Sequence, residues 1–523
     1  MNKLSFNLLD DPWIPCILKS KELQILSIKE VLLNSSTIED ISSENPLINI
    51  SIYRLLLAIL HRNFGPKNLT EWIKIYEAKK WDQLIIDNYF KIWFHKFELF
   101  NEPEYRFYQI QVPEISKKTP ITVLNHALSS GNNTALFDHT WDSEISSIPI
   151  DQAVRLLLSF QNYAVGGGRS IPFNYSHAPL MAGISILVKG NNLFETLMLN
   201  FIRYDDTHPF KQTQDHQDIP FWERNDKVLH QEKDGRYPYG YLDYLTWQSR
   251  RIWLLPIVED TDIKVKEVFI AQGEKIKGDW FQHAQDPLMA YKRNKKNEIE
   301  ALKLKLDRQV WREIEVLLRI KDDTKNIISQ KALNWISRII ERGVITPSTR
   351  YKLEIYGILN DPSKAAKIIS WHRSSIPLPA RILEDQSLVN TIKSFIDRCE
   401  KVERNLNITL YLFGKKYLFP EFGGNLTKVQ EQKLRSYIRD FQFTIKFWNS
   451  IEKYFYKFVE EIPNLSGPTE RKKLEAQWIE KHIIRTARDI LTNFQENIKN
   501  DIRALKAFIQ TSGYFFKKIK NLT

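Results

Sequence analysis

At 523 residues the chain is too long for one ordinary core and suits two to four domains of about 150 residues each, and its 43% hydrophobic and 12% aromatic content excludes a disordered chain. No run approaches the roughly 18 apolar residues of a membrane span, and the start breaks into acids and prolines too soon for a signal peptide, so a cytoplasmic protein without membrane attachment is expected. Of the net charge of +12, residues 401–523 carry +10, from 23 Lys/Arg against 13 Asp/Glu; the asymmetry favours a polyanionic partner, although a solvated basic helical surface would look the same.

In chain order, residues 4–18 read as a short strand, a turn at Asp10-Asp11-Pro12 and a second strand. A strand over 24–28 follows, with Ser27 capping a helix over 28–34. Apolar residues then recur at three and four over 48–63, 69–79 and 81–97, the spacing of helices packed on a small sheet. Residues 100–141 are loop, and Leu136-Phe137 forms an apolar tip on a polar turn, suited to insertion into a partner or to folding back on its own domain. A helix over 149–163 leads into Gly166-Gly167-Gly168-Arg169-Ser170. A strand over 182–190 and an Asn192-capped helix over 193–201 come next. The polar stretch 204–240 predicts irregular structure, 241–252 a helix, and 253–258 a strand. Two strands are expected within 262–280 around Gln272-Gly273-Glu274-Lys275, then a basic loop over 292–296 and helices over 297–320 and 324–342. Residues 348–361 alternate, and Asn360-Asp361-Pro362-Ser363 makes a turn after which 365–373 returns as strand or helix, the form of a hairpin tip.

From 375 onward the pattern gives four amphipathic helices, about 381–413, 426–459, 468–496 and 498–520, with short breaks as an antiparallel bundle requires. The expected fold class is therefore α+β: a large mixed α/β N-terminal domain over 1–378, then a basic four-helix bundle over 379–523.

Three of only 18 glycines stand together at Gly166, Gly167 and Gly168. A bare main chain next to Arg169 suits close approach to a polyanion, through amides as much as through the missing side chains, and a flexible turn is the plainer alternative. The sequence G-x-x-x-x-G-K-[ST] is absent, which argues against a P-loop. Asp205, Asp206, His208, Asp215, His216 and Asp218 are the densest set of metal-ligand types, and a metal-dependent nuclease would use such a set. No helical spacing pre-organises them, and Asp138-His139 with Asp142 lacks it too, so no metal site and no catalytic residue is assigned. Cys16 and Cys399 are too far apart in sequence for a disulfide framework or a zinc cluster and carry no nucleophile signature. Lys275, Lys277 and the 360–363 turn are ordinary surface residues taken singly.

Five stretches share one order and spacing with a known family: Phe6-Asn7-Leu8-Leu9-Asp10-Asp11-Pro12-Trp13-Ile14-Pro15, the 131–139 loop, the triple glycine, Pro220-Phe221-Trp222-Glu223-Arg224, and Gly240-Tyr241-Leu242-Asp243-Tyr244-Leu245-Thr246-Trp247-Gln248-Ser249-Arg250-Arg251-Ile252. In these the chain resembles the CasA family, the large subunit of the type I-E CRISPR Cascade surveillance complex. The likeness covers the first 260 residues closely and the rest by layout. It implies a non-enzymatic subunit, without cofactor, that recognises the protospacer-adjacent motif in duplex DNA, promotes strand opening and R-loop formation, and helps recruit a helicase-nuclease. A structural scaffold without DNA contact is the third reading, beside the nuclease. By the resemblance, Gly166, Gly167 and Gly168 match the glycine loop, with Arg169 beside it. The motif-contacting lysine is Lys275 or Lys277, and Asn360, Asp361, Pro362 and Ser363 fall at the wedge tip. Asn132, Asn133, Leu136 and Phe137 fall in the loop that faces the 5′ end of the guide RNA and a neighbouring Cascade subunit. Some relatives carry Asn-Gln at the wedge, whereas Asp361-Pro362 here would act sterically. Some also hold a cysteine cluster; this chain has none, so zinc is not expected.

Overall fold

The computed structural model describes residues 4–100, 105–125, 147–203, 217–224, 232–259, 262–319, 328, 330–361, 364–421 and 424–520. They form two compact units, one of Met1–Leu306, Arg319–Thr346 and Tyr351–Ser375, the other of Asp307–Leu318, Pro347–Arg350 and Ile376–Thr523.

In the first unit, β1 (Ile14–Leu18) is flanked by β2 (Leu23–Leu26) and β3 (Ile38–Ile41), both antiparallel to it. Between the outer two runs α1 (Ile28–Leu33), opened by a capping box in which Ser27 and Glu30 satisfy each other's amides. Helix α2 (Pro46–Phe64) starts at the Asn45 cap with proline in its first turn, and is buried on all sides as far as His61. Such a helix lies in the core, and its one arginine there needs partners: Arg54 pairs with Asp286 at 2.7 Å and donates to Asn162 at 3.1 Å. Against α2 pack α4 (Gln83–Trp93) and α5 (Ile150–Tyr163), and α3 (Leu69–Ala78) follows it in the chain.

The central sheet is built on a long antiparallel pair, β7 (Arg250–Glu259) and β8 (Asp262–Gln272), to which the two-residue strands β4 (Thr119–Pro120) and β5 (Ile148–Pro149) add along β8. A second sheet has β6 (Ser185–Lys189) beside β11 (Arg350–Asp361) and β12 (Lys364–Pro379). Helix α6 (Leu193–Asn200), capped by Asn192, follows β6. The remaining elements of this unit are α7 (Tyr241–Leu245), α8 (Trp280–His283), the hairpin of β9 (Tyr291–Arg293) and β10 (Ile299–Ala301), and α10 (Lys331–Glu341).

Three expectations fail here. The helix over 241–252 stops at Leu245, because from Gln248 the chain turns into the sheet and its carbonyls accept from Glu274 and Gly273. Only one strand lies in 262–280, since β8 pairs back onto β7 and ends at Gln272. The helix over 297–320 is absent until Ile314: Leu302-Lys303-Leu304-Lys305-Leu306 alternates with a period of two, which extended backbone uses and a helix does not. The return of 365–373 is settled as strand.

The second unit is helical. It contains α9 (Ile314–Leu318), α11 (Ala380–Glu384), α12 (Ser387–Leu418), α13 (Lys428–Arg439), α14 (Phe443–Glu461), α15 (Pro468–Trp478), α16 (Arg485–Ile498) and α17 (Ile502–Ile519). The expected helix over 426–459 is broken where Gln442 takes a left-handed φ of 53°, and a π-helical turn over Ile479–Ile484 joins α15 to α16. Phe395 stacks on Phe458, and Trp311 on Phe455, in its aromatic core.

Candidate functional site

Helix α5 ends at Tyr163, and the chain enters the glycine loop extended. Gly166 is buried; its amide donates to His177 Nδ1 at 3.1 Å. The Gly167 amide donates to the Tyr175 carbonyl at 2.8 Å, and the Tyr175 amide to the Gly168 carbonyl at 2.9 Å, so 167–175 closes as a narrow two-sided loop. Two of the three glycine amides are thus spent inside the protein. That corrects the picture of a row of amides aimed at an anion: what the loop turns outward is the bare Cα of Gly167, exposed, with φ +103° and open space where a Cβ would stand. Arg169 beside it is exposed, and the Gly168 and Arg169 amides have no partner among the described residues.

The loop is fixed from below by Arg250, the first residue of β7. Its guanidinium is buried and donates to the carbonyls of Ser249 (2.8 Å), Val165 (3.0 Å) and Ser176 (2.7 Å), with the Tyr175 ring 4.8 Å away. Among the described residues no carboxylate pairs with it; burial pulls its pKa down to about 10, which still leaves it charged at neutral pH. Burial, then the nearby Lys303 and Arg250, lower the His177 pKa and keep the imidazole a neutral acceptor for Gly166.

Gln272, the last residue of β8, ties this loop to the lysine segment. Its backbone amide donates to Ser170 Oγ at 2.8 Å, its Oε1 accepts from the Ser176 amide at 2.8 Å, and its Nε2 donates to Ser176 Oγ at 3.0 Å. Lys275 follows three residues later, within about 11 Å along the chain even if fully extended. Residues 273–277 are held in turn. Gly273 lies so close to Gln248, Ser249 and Arg250 that a Cβ would collide with their backbone. The backbone of Arg236 bonds to that of Lys275 (2.9 Å) and Lys277 (3.0 Å) on either side of Ile276. Arg236 and Arg224 share the buried carboxylates of Asp243 and Glu274, a cluster that fixes where Lys275 emerges. Lys275 Nζ donates to the Lys233 carbonyl at 2.9 Å, and Lys277 lies 4.9 Å from the Tyr237 ring centre, both at the surface.

The glycine loop and both candidate lysines therefore stand together. The hairpin is less tightly tied to them. β11 runs antiparallel to β6 with Tyr356 opposite Ser185, so its continuation to Asn360 and Asp361 passes the N-terminal end of β6, the end at which the chain arrives from the glycine loop. Pro362 and Ser363 at the expected tip lie outside the described residues. So do Asn132, Asn133, Leu136 and Phe137, and the candidate metal ligands Asp205, Asp206, His208, Asp215, His216, Asp138, His139 and Asp142. Asp218 is described: it accepts the Asp243 amide at 3.0 Å at the start of α7, and burial pushes its pKa up to about 6. Among the described residues no three His, Cys, Asp or Glu side chains gather as metal ligands. Cys16 and Cys399 are buried in separate places, and burial raises both thiols, Cys16 to about 12. No helix among the described residues is long and apolar enough to cross a membrane.

Sequence reasoning missed Arg250, Gln272 and His177, which hold the loop rather than face a ligand. Arg250 and Gln272 lay within stretches already singled out, but for other reasons; His177 did not.

The family model described as CRISPR-associated protein Cse1 matches residues 7–490. The CRISPR-associated protein CasA/Cse1 of Thermus thermophilus is 26% identical over 468 residues, 87% of each chain. The crystal structure of Cse1 from Acidimicrobium ferrooxidans superposes with a TM-score of 0.82 at 18% identity, over 100% of this chain and 99% of that one. A chain of a structure titled CRISPR RNA-guided surveillance complex gives 0.74 at 18% identity, over 98% and 99%.

Proposed function

The chain belongs to the CRISPR-associated Cse1 family, and from that premise we propose that it is the large subunit of an RNA-guided surveillance complex that reads a short motif in duplex DNA and helps part the strands beside it. The observation that carries the reading is the double grip of Ser170 and Ser176 on Gln272, which sets an exposed, side-chain-free Gly167 next to a lysine segment. The minor groove of B-DNA is only about 6 Å wide. A main chain without Cβ fits its floor, while Lys275 or Lys277 and Arg169 meet phosphates or groove acceptors. Because that groove separates mainly A·T from G·C, such a reader tolerates several motifs, and pairing with the guide RNA supplies the remaining specificity. The β11–β12 hairpin acts as the wedge, with Asn360 to Ser363 at its tip. The 132–137 loop meets the 5′ end of the guide RNA and a neighbouring subunit, and the same protein helps bring in the helicase-nuclease. The reading gives this chain no chemical step.

Gly167→Asp in the assembled complex tests it. The extra side chain and charge block approach to the groove, so motif-containing duplex should bind at least about tenfold more weakly. Single-stranded target, which needs only the guide, should bind as before. Parent-like duplex binding overturns the proposal.

A further inference from the structure

Among the described residues of the second unit, Val429 on α13 and Ile445 on α14 are single exposed apolar side chains, whereas three others gather on one helix. On α17, Ile502, Ile509 and Phe516 are 83, 62 and 46% exposed, while Ala504, Ala507, Phe508, Phe515 and Ile519 bury the opposite side. Ile502, Lys506, Ile509, Gly513, Phe516 and Lys520 follow one another at intervals of four and three, the spacing of one seam along a helix that meets another helix.

Gly513 is the telling member. Glycine in a helix interior is unfavourable relative to alanine. Where this fold requires one, the reason is visible: at Gly414 in α12 a Cβ would meet Leu434 and Ile438 of α13 at 2.6 and 2.7 Å. At Gly513 a Cβ would meet nothing within 4 Å among the described residues, so their packing does not ask for it. A second backbone approaching this seam closely would.

We propose that the outward face of α17 is a docking surface for an acidic, amphipathic helix of a partner protein. The charges select that occupant. Arg503, Lys506, Lys517 and Lys518 stand on α17 without one Asp or Glu between 502 and 519. A second copy of the chain would bring the same sign to the seam, and a nucleic acid would use the cations but leave three large apolar side chains facing phosphate. An apolar stripe flanked by Asp and Glu satisfies both sets. The inference rests on the reading of the chain as a subunit of the surveillance complex.

The full-length chain is titrated onto a complex assembled from the other subunits and guide RNA, and a photo-crosslinking residue replaces Ile509 in a parallel preparation. Ile509→Glu and Gly513→Leu are each expected to weaken assembly at least about tenfold, with the melting temperature of the free Ile509→Glu chain unchanged because the site is exposed. Gly513→Ala should raise the melting temperature yet weaken assembly, opposite signs that a purely internal role cannot produce. The crosslink is expected on a protein segment with apolar residues at intervals of three and four between acids. Assembly of both variants within threefold of the parent overturns the proposal, as does a crosslink to nucleic acid alone. Gly167→Asp keeps the two readings apart: it should spare assembly and lose duplex binding, so failure of that test leaves the α17 surface standing. A parent chain that does not join the other subunits at all overturns both.

Discussion

Gly166→Ala is the sharpest probe of how the glycine loop is held. A Cβ there would lie 2.8 Å from the His177 nitrogen, 2.8 Å from the Ser176 carbonyl carbon and 2.9 Å from the Tyr175 oxygen, all backbone atoms that cannot swing aside. The two sides of the loop must separate. Separation breaks the Gly166–His177 bond (3.1 Å) and the Gly167–Tyr175 and Tyr175–Gly168 pair (2.8 and 2.9 Å). At roughly 1 kcal/mol net for each bond the closed loop loses about 3 kcal/mol, or about a hundredfold in its population. Hydrogen exchange reads this directly: protection of the Gly167 and Tyr175 amides should fall by up to about that factor. Motif-duplex binding by the assembled complex should fall with it, because only the closed loop is competent. Gly167→Ala is the contrast, with φ +103° but open space, so strain of about 1–2 kcal/mol and no clash. If Gly166→Ala leaves amide protection within threefold of the parent, the packing argument is wrong.

Two further predictions concern the supports of this surface. His177 has a folded pKa below its ordinary 6.5, chiefly through burial. The unfolded chain therefore takes up the proton first, so the linked stability is full above about 6.5 and is lost as pH falls from there through the depressed folded value. Protection of the Gly166 amide should weaken over that window, and His177→Phe should remove the pH dependence. Glu274→Ala leaves Arg236 and Arg224 short of a carboxylate inside the protein, with Arg236 only 7% exposed. Loss of one partner from such a buried cluster costs about 3–5 kcal/mol, which a denaturant titration would show. Since Arg236 holds the backbone on both sides of Ile276, duplex binding should fall as well, whereas an effect on stability alone would mean the lysine segment is held by other contacts.

What the sequence made legible was local. Ser27 caps α1 and Asn192 caps α6, each signal and its effect lying within one turn, while Asn45-Pro46, which opens α2 ahead of the apolar spacing that marked it from 48, passed unread. The triple glycine was visible for the same reason, but its use was not. Whether its amides faced outward depended on His177 and on Tyr175, which the chain returns to the loop only after a further turn. Gln272 stood in a stretch already singled out, but its role gave no sign, because the serine that receives its side chain stands 96 residues earlier. The misread helices over 241–252 and 297–320 share another cause. Each stretch gives up part of its backbone to a strand pair, 250–252 to β8 and 299–301 to the β9–β10 hairpin, and those partners are not adjacent in the local pattern.

The described glycines divide by what a Cβ would meet, and the division separates the fold's needs from the surface's. Gly166, Gly273 and Gly414 are hemmed in by their own chain, and alanine there should lower stability. Gly167 has room but needs its positive φ, so it serves the loop's shape while leaving its outward side bare. Gly513 has neither reason: it is helical, exposed and unobstructed. A residue that costs a helix stability and meets nothing among the described residues points to something outside the chain. That is why the melting temperature of Gly513→Ala carries so much of the case for α17. A rise with intact assembly would leave the glycine unexplained, while a fall would mean that the helix uses it internally after all.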